Sequence, residues 1–228
     1  VTATTTRQER QNRKRMLKFG DWINRKRHNR GFGIQSPSTF FFITQVLREK
    51  KPYYAYRRLD KAVGDNRRHS RRLARELFRI ANYHQPANCI SVGAVEAACA
   101  MSSARPSVPH YLLASGADMA PEAKAMLQER NCRIVENTDS FAAVIEEIGA
   151  IGMLYISADT KDILEKALQH TDSNSLIVIA GIHRDKTAQE WWQQVVDRRE
   201  TVITFDMYSY GLLFFNRERI KQHYKLKR

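Results

Sequence analysis

From Ala87 onward, short apolar runs alternate with longer stretches whose apolar residues recur at helical spacing. The runs Cys89–Val92, Tyr111–Ala114, Arg133–Glu136, Met153–Ser157 and Leu176–Ala180 have the length and β-branched content of buried strands. Between them lie the predicted helices Ala94–Ala104, Pro121–Arg130, Ser140–Ile148, Thr160–Gln169 and Lys186–Arg198. Such alternation predicts right-handed crossovers and a parallel sheet. The ending differs: Thr201–Tyr208 and Leu212–Asn216 are β-rich runs separated only by Ser209-Tyr210-Gly211. That spacer is too short for a crossover helix, so the two runs are expected to form an antiparallel hairpin at the sheet edge. The expected fold is α/β: a seven-stranded, mostly parallel sheet ending in an antiparallel hairpin.

The first third follows another pattern. Residues 1–14 are polar and aperiodic, and are expected to be a disordered basic arm. Residues 15–80 read as a basic helical extension. Met16, Leu17, Phe19, Trp22 and Ile23 suit a short amphipathic helix over Arg15–Arg27. Ser36 is placed as an N-cap, with Pro37 at the first helical position and Phe40, Phe41 and Phe42 mainly in the core. Ser70 is expected to cap a further helix through Leu73, Leu77, Phe78 and Ile80. Residues 81–228 form the α/β domain.

Charge sharpens this division. The net charge is +14, and residues 1–80 hold 22 Lys+Arg against 6 Asp+Glu, whereas the remainder holds 16 against 18. Arg68, Arg71, Arg72, Arg75 and Arg79 fall on one helical stripe, with Glu76 as the interleaved acid. Segregation of this kind favours an acidic partner, nucleic acid among them, or an anionic surface. A solvated basic face is the plainer reading. No apolar stretch approaches the roughly 20 residues that span a bilayer, and Val1–Thr6 lacks the apolar core of a secretion signal. The first methionine is Met16, so Val1 is not expected to be the native start. Three cysteines without metal-ligand spacing suit small core residues of a reduced, cytoplasmic protein.

Candidate chemistry centres on Asn88–Met101, where Ile90 and Val92 lead into Gly93 and a small-residue helix follows at once. A first strand turning into a first helix through glycine is where open α/β sheets hold nucleotide-like ligands.

The order of elements resembles a class I S-adenosylmethionine-dependent methyltransferase, and more closely a bacterial group of that family. The group's Gly-x-His-Ser-Pro signature is matched by Gly33-Ile34-Gln35-Ser36-Pro37, and its Tyr-Tyr-Ala stretch by Pro52-Tyr53-Tyr54-Ala55-Tyr56. Glu190-Trp191-Trp192, Thr204-Phe205-Asp206, Gly211-Leu212-Leu213-Phe214-Phe215 and Lys221-Gln222-His223-Tyr224 match later segments in order. The resemblance implies a Rossmann-like methyltransferase fold and S-adenosylmethionine as cofactor. It carries the cofactor positions onto Ser91, Gly93, Ser115, Asp139 and Ser157. The family's second glycine is Ala97 here, and its ribose-binding acid falls on Ala114 or Ser115. Where related methyltransferases place metal-binding acids, only Asp159 remains, so no metal is expected.

Each position has a plainer reading. Gly93 suits the tight turn alone, and Asp139 suits a helix N-cap. His183 is a general-base candidate at the mouth after the fifth strand, or else a surface histidine without a carboxylate to orient it. Trp191 and Trp192 are adjacent, so one is expected on the sheet and the other against the extension or a partner. Two functions follow: a methyltransferase of unknown acceptor with a degenerate cofactor site, or a catalytically inactive scaffold that binds an acidic partner through its basic third.

Overall fold

The computed structural model describes residues 34–64, 68–114, 119–136 and 140–226. The expected arm and the helix over Arg15–Arg27 lie outside them, as do Ser115, Asp139 and the side chain of Arg68.

Three helical segments precede the sheet. Helix α1 (Pro37–Phe41) starts at Ser36, whose Oγ accepts the Thr39 N–H, and Pro37 opens the first turn. It continues as a π-helical turn, Phe42–Leu47, that buries Phe42, Ile43, Val46 and Leu47. Only Phe42 of the three consecutive phenylalanines is core; Phe40 and Phe41 are exposed. Helix α2 (Tyr56–Val63) arises from the Tyr-rich stretch, and α3 (Arg68–His84) buries Leu77, Phe78, Ile80 and Ala81.

The α/β part then runs β1 (Cys89–Val92), α4 (Val95–Ala104), β2 (His110–Leu113), α5 (Pro121–Glu129), β3 (Arg133–Val135), α6 (Phe141–Ile148), β4 (Met153–Ser157), α7 (Lys161–Leu168), β5 (Leu176–Ala180), α8 (Lys186–Asp197), β6 (Ile203–Asp206), β7 (Tyr210–Phe214) and β8 (Gln222–Lys225). Among the described residues these strands form one eight-stranded sheet, ordered β3-β2-β1-β4-β5-β7-β6-β8. Strand β7 runs antiparallel to β5 and β6, whereas β8 pairs parallel with β6.

Two expectations are thereby corrected. The sheet has eight strands, not seven, because Tyr224 turns inward and stacks on Phe205 at 5.2 Å, which ties the terminal run to β6. The hairpin is not the edge: β7 sits between β5 and β6, and β8 covers β6.

Residues alternate faithfully between the two faces of the sheet. Cys89, Leu112, Met153, Tyr155, Leu176 and Val178 face α1–α5, and Ile90, Leu113, Leu154, Ile156, Ile177 and Ile179 face α6–α8. The helices of the N-terminal third share the first of these cores. At its centre Phe42 lies 5.2 Å from Phe205 and 5.5 Å from Phe214. Asn88 locks β1 to the start of β4, accepting the Gly152 N–H and donating to Ala150 O, each at 2.9 Å. Trp191 and Trp192 are both buried in the second core, neither left for a partner, and Trp192 lies against Gly211.

All three cysteines are free thiols, and burial pushes each from the usual value near 9 up to about 12. A thiol whose folded pKa exceeds its unfolded one contributes stability that is intact below the unfolded value and lost as pH rises towards the folded one. Stability should therefore decline from about pH 9 upward. Iodoacetamide at about pH 9, where a free thiol is half ionised, should label Cys89 and Cys99 slowly in the native chain and fast in the denatured chain. Rapid native labelling of Cys89 or Cys99, followed by mass spectrometry, would contradict their burial.

Candidate active site

The parallel strands β1, β2, β4, β5 and β6 deliver their C-terminal ends to one rim, and the strand order reverses between β1 and β4. A crevice at such a reversal is where open α/β sheets bind ligands. At the end of β1, Gly93 has φ +70°, a left-handed conformation that favours glycine, and it is exposed. A Cβ built there would meet no described residue within 4 Å, so among the described residues the space above the turn is open. Helix α4 follows with no side-chain cap, leaving its first backbone N–H groups directed to this end of the sheet.

The serines do less here than their positions imply. Ser91 is fully buried, and its hydroxyl donates to Ala94 O at 2.7 Å, closing the turn beneath Gly93. Ser157 donates to Asp159 Oδ2 at 3.1 Å and accepts the Asp159 N–H at 3.3 Å, shaping the β4 loop. Ser115 and Asp139 lie outside the described residues. Ala114, directly after β2, brings no carboxylate, and Ala97 is buried in α4.

Sequence reasoning missed the rim's main cation. Arg184, after β5, makes a two-pronged pair with Asp159 after β4, with Nη2 2.6 Å from Oδ1, and its Nε donates to Asp185 at 3.1 Å. The Arg184 guanidinium holds the Asp159 carboxyl below its ordinary range. Asp185 is also lowered, first by the Ala188 N–H that it caps at the start of α8. Asp159, the one acid left from the family's metal positions, is thus bound to a guanidinium. Among the described residues no group of three or more His, Cys, Asp or Glu side chains is placed to hold a metal ion.

His183 is corrected most. It has a carboxylate: Nε2 lies 2.8 Å from Oδ2 of Asp206, whose side chain is 2% exposed at the end of β6. Tyr208 stacks on the imidazole with ring centroids 5.1 Å apart and planes 5° from parallel. The signal in the sequence was an acid closing an apolar strand, Thr204-Phe205-Asp206, on the same rim as His183.

The arginine stripe is largely engaged within the fold. Arg79 is buried, a correction to its expected outer position, and donates to Val46 O, Leu47 O and the Tyr56 hydroxyl. Arg75 pairs with Asp60 and lies over the Tyr56 ring at 4.9 Å. Arg71 donates to Gly64 O at 3.0 Å, and Arg72 to Glu76, which also accepts from Tyr210 in the core. A separate cleft of about 470 Å³ opens at the opposite, N-terminal ends of the strands, between Phe42, Tyr83, Phe205 and Phe214.

No protein-family model matches the chain. A search of curated proteins finds no match by sequence either. Solved structures do match. The O-methyltransferase TomG from Streptomyces achromogenes, involved in tomaymycin synthesis and in complex with S-adenosylmethionine, is 13% identical with a TM-score of 0.55. The match covers 78% of this chain and 94% of TomG. An O-methyltransferase from Bacillus cereus in complex with S-adenosylhomocysteine is 12% identical, with a TM-score of 0.52 over 84% of this chain and 95% of that one. The Podospora anserina methyltransferase PaMTH1, bound to S-adenosylhomocysteine, is 7% identical, with a TM-score of 0.55 over 81% and 97%. The chain has the class I methyltransferase fold.

Proposed function

We propose that the chain is a methyltransferase that uses S-adenosylmethionine. The observation that carries this reading is the open turn at Gly93, set at the strand-order reversal of a fold in which TomG is complexed with that cofactor. The residues fit the group in part. The left-handed glycine leaves room for close approach, and the uncapped start of α4 suits an anionic end of a ligand. Neither Ala114 nor Ser115, the two positions that match the ribose-binding acid, supplies a charged acceptor. A hydrogen bond to a carboxylate is worth about 1.5–3 kcal/mol, so affinity should be lower by roughly 10- to 100-fold than with the acid present. S-adenosylmethionine, when bound, supplies an electrophilic methyl group on a sulfonium. The protein's own task is alignment in a site shielded from water.

Calorimetric titration with S-adenosylhomocysteine tests the reading. Saturable binding is expected, with Kd between about 10 µM and 1 mM. Gly93→Val should weaken it on the order of 10-fold, because a side chain enters the open space and the left-handed backbone disfavours a β-branched residue. Absence of heat at millimolar ligand would end the proposal.

A further inference from the structure

The cleft at the N-terminal ends of the strands lies at the opposite end of the sheet from Gly93 and holds about 470 Å³. Small-molecule sites have this size, are largely apolar and carry a few placed polar groups. The inner wall is aromatic: the Phe42 ring lies 5.5 Å from Phe214, nearly edge-on, and 5.5 Å from Tyr83. Tyr83 is 42% exposed at the entrance. His84 closes one side, with Nε2 2.7 Å from Asn174 O, and burial holds its pKa below the ordinary value, so it adds no charge at neutral pH. The charge comes from Arg219. Asn216 folds the connection from β7 to β8, its O accepting the Arg219 N–H at 3.2 Å and its Oδ1 the Glu218 N–H at 3.0 Å. That turn carries Arg219 to the mouth, where Nη1 donates to Ser38 Oγ of α1 at 2.9 Å. The guanidinium is exposed, and no described carboxylate pairs with it. Asp172 is the one acid among the described lining residues; its Oδ1 accepts the Asn174 N–H at 2.8 Å. Residues 172–174 also border a neighbouring cleft, so they form the ridge between the two.

We propose that this cleft binds an aromatic carboxylate, with its ring against Phe42, Phe214 and Tyr83 and its carboxylate on Arg219. The assignment does not depend on the methyltransferase reading. Rings favour edge-to-face and offset partners, and Phe42, nearly perpendicular to Phe214 and tilted against Tyr83, sits in a set that a further ring extends. A flexible alkyl chain would lose more rotamer freedom on entering than a rigid ring does. The head group follows from the charge. A guanidinium presents a planar pair of donors that matches the two oxygens of a carboxylate. A phosphate monoester carries close to two negative charges, and Asp172 opposes the second. A neutral ring would leave the Arg219 charge without a counter-ion.

Fluorescence titration of the full chain with 2-naphthoate tests this. Saturable binding is expected, with Kd on the order of 10–100 µM. S-adenosylhomocysteine at about 1 mM should not displace the naphthoate, since Gly93 and the cleft lie at opposite ends of the sheet. The neutral 2-naphthamide keeps the rings and should bind roughly 10-fold more weakly. Arg219→Gln should bring naphthoate down to the amide's affinity and leave the amide unchanged; Arg219 is exposed, so the substitution spares the core. In proton–nitrogen NMR, naphthoate should shift the backbone amides of Asn174 and Asn216 and leave Gly93 in place. No saturable binding below about 1 mM, equal affinity for acid and amide, or full affinity in Arg219→Gln would overturn the proposal. Displacement by S-adenosylhomocysteine, or shifts centred on Gly93, would also overturn it by placing the ligand at the other rim. Failure of S-adenosylhomocysteine itself to bind, read by calorimetry, would remove the methyl-donor reading and leave this one standing.

Discussion

Replacing Arg79 by methionine is expected to lower stability by about 2–6 kcal/mol, the cost of leaving two buried carbonyls without their donor. The guanidinium closes the end of the π-helical turn: Nε donates to Val46 O at 2.8 Å and Nη2 to Leu47 O at 3.0 Å. Helix ends leave their last carbonyls without intrahelical donors, and a buried one must find a partner elsewhere. Nη1 reaches the Tyr56 hydroxyl at 2.9 Å, so one side chain ties three helices together. Methionine fills the stem's space but leaves two buried carbonyls bare, each costing about 1–3 kcal/mol. Lysine keeps the charge without the planar fork, so Arg79→Lys should fall between methionine and the wild type. For a chain of this size each kcal/mol lowers Tm by roughly 2–4 °C, so thermal melting resolves the series. A methionine variant melting within a degree or so of wild type would show that the carbonyls find other donors.

Gly211→Ala is the second large effect, and its cause is steric. A Cβ at Gly211 would stand 2.3 Å from Cη2 and 2.5 Å from Cζ3 of Trp192. Trp192 is 2% exposed and packed in the core between α8 and the sheet, so the ring has no free space into which to swing. Strand β7 is equally fixed, with Gly211 paired to Ile179 on one side and Asp206 on the other. Overpacking of this kind costs about 1–3 kcal/mol, and here it should reach the upper end or exceed it. Trp192→Leu alone leaves a cavity and should cost about 3 kcal/mol. The pair should be less destabilised than the sum, with a coupling of about 1 kcal/mol or more, since the smaller side chain admits the new methyl group. Additive losses in chemical denaturation would refute the clash. Because Asp206 pairs with Gly211, the same substitution should also disturb the His183–Asp206 hydrogen bond.

The sheet was legible because its signal is local and repeated. In Ile177 and Val178, or Leu154 and Tyr155, neighbouring residues face opposite cores, and the loops between strands are short. The Ser36–Pro37 start was legible for the same reason, since a cap and its proline act within one turn. What escaped depends on distant partners. Arg79 reads as one more cation on a basic stripe, and only the carbonyls that it meets across 32 and 33 residues make it a core residue. Strand β8 is four residues with two polar ends, and its inward Tyr224 has meaning only against Phe205. His183 and Asp206 are 23 residues apart and meet because β6 returns parallel to β5 with β7 between them. At the turn after β1 the glycine was legible, but the spent hydroxyl of Ser91 was not, since its acceptor is a backbone atom fixed by the turn itself.

The placement of β3 and β8 at the two borders of the sheet bears on how the protein behaves when crowded. An unpaired strand border is a template on which other chains can add strands and aggregate. Here one border is three residues long and begins with an exposed arginine, Arg133, and the other carries Lys225. Both are short and charged, while the long apolar strands β4 and β5 lie shielded in the interior. Self-association through strand addition is therefore disfavoured by the same ordering that brings the strand ends to a common mouth.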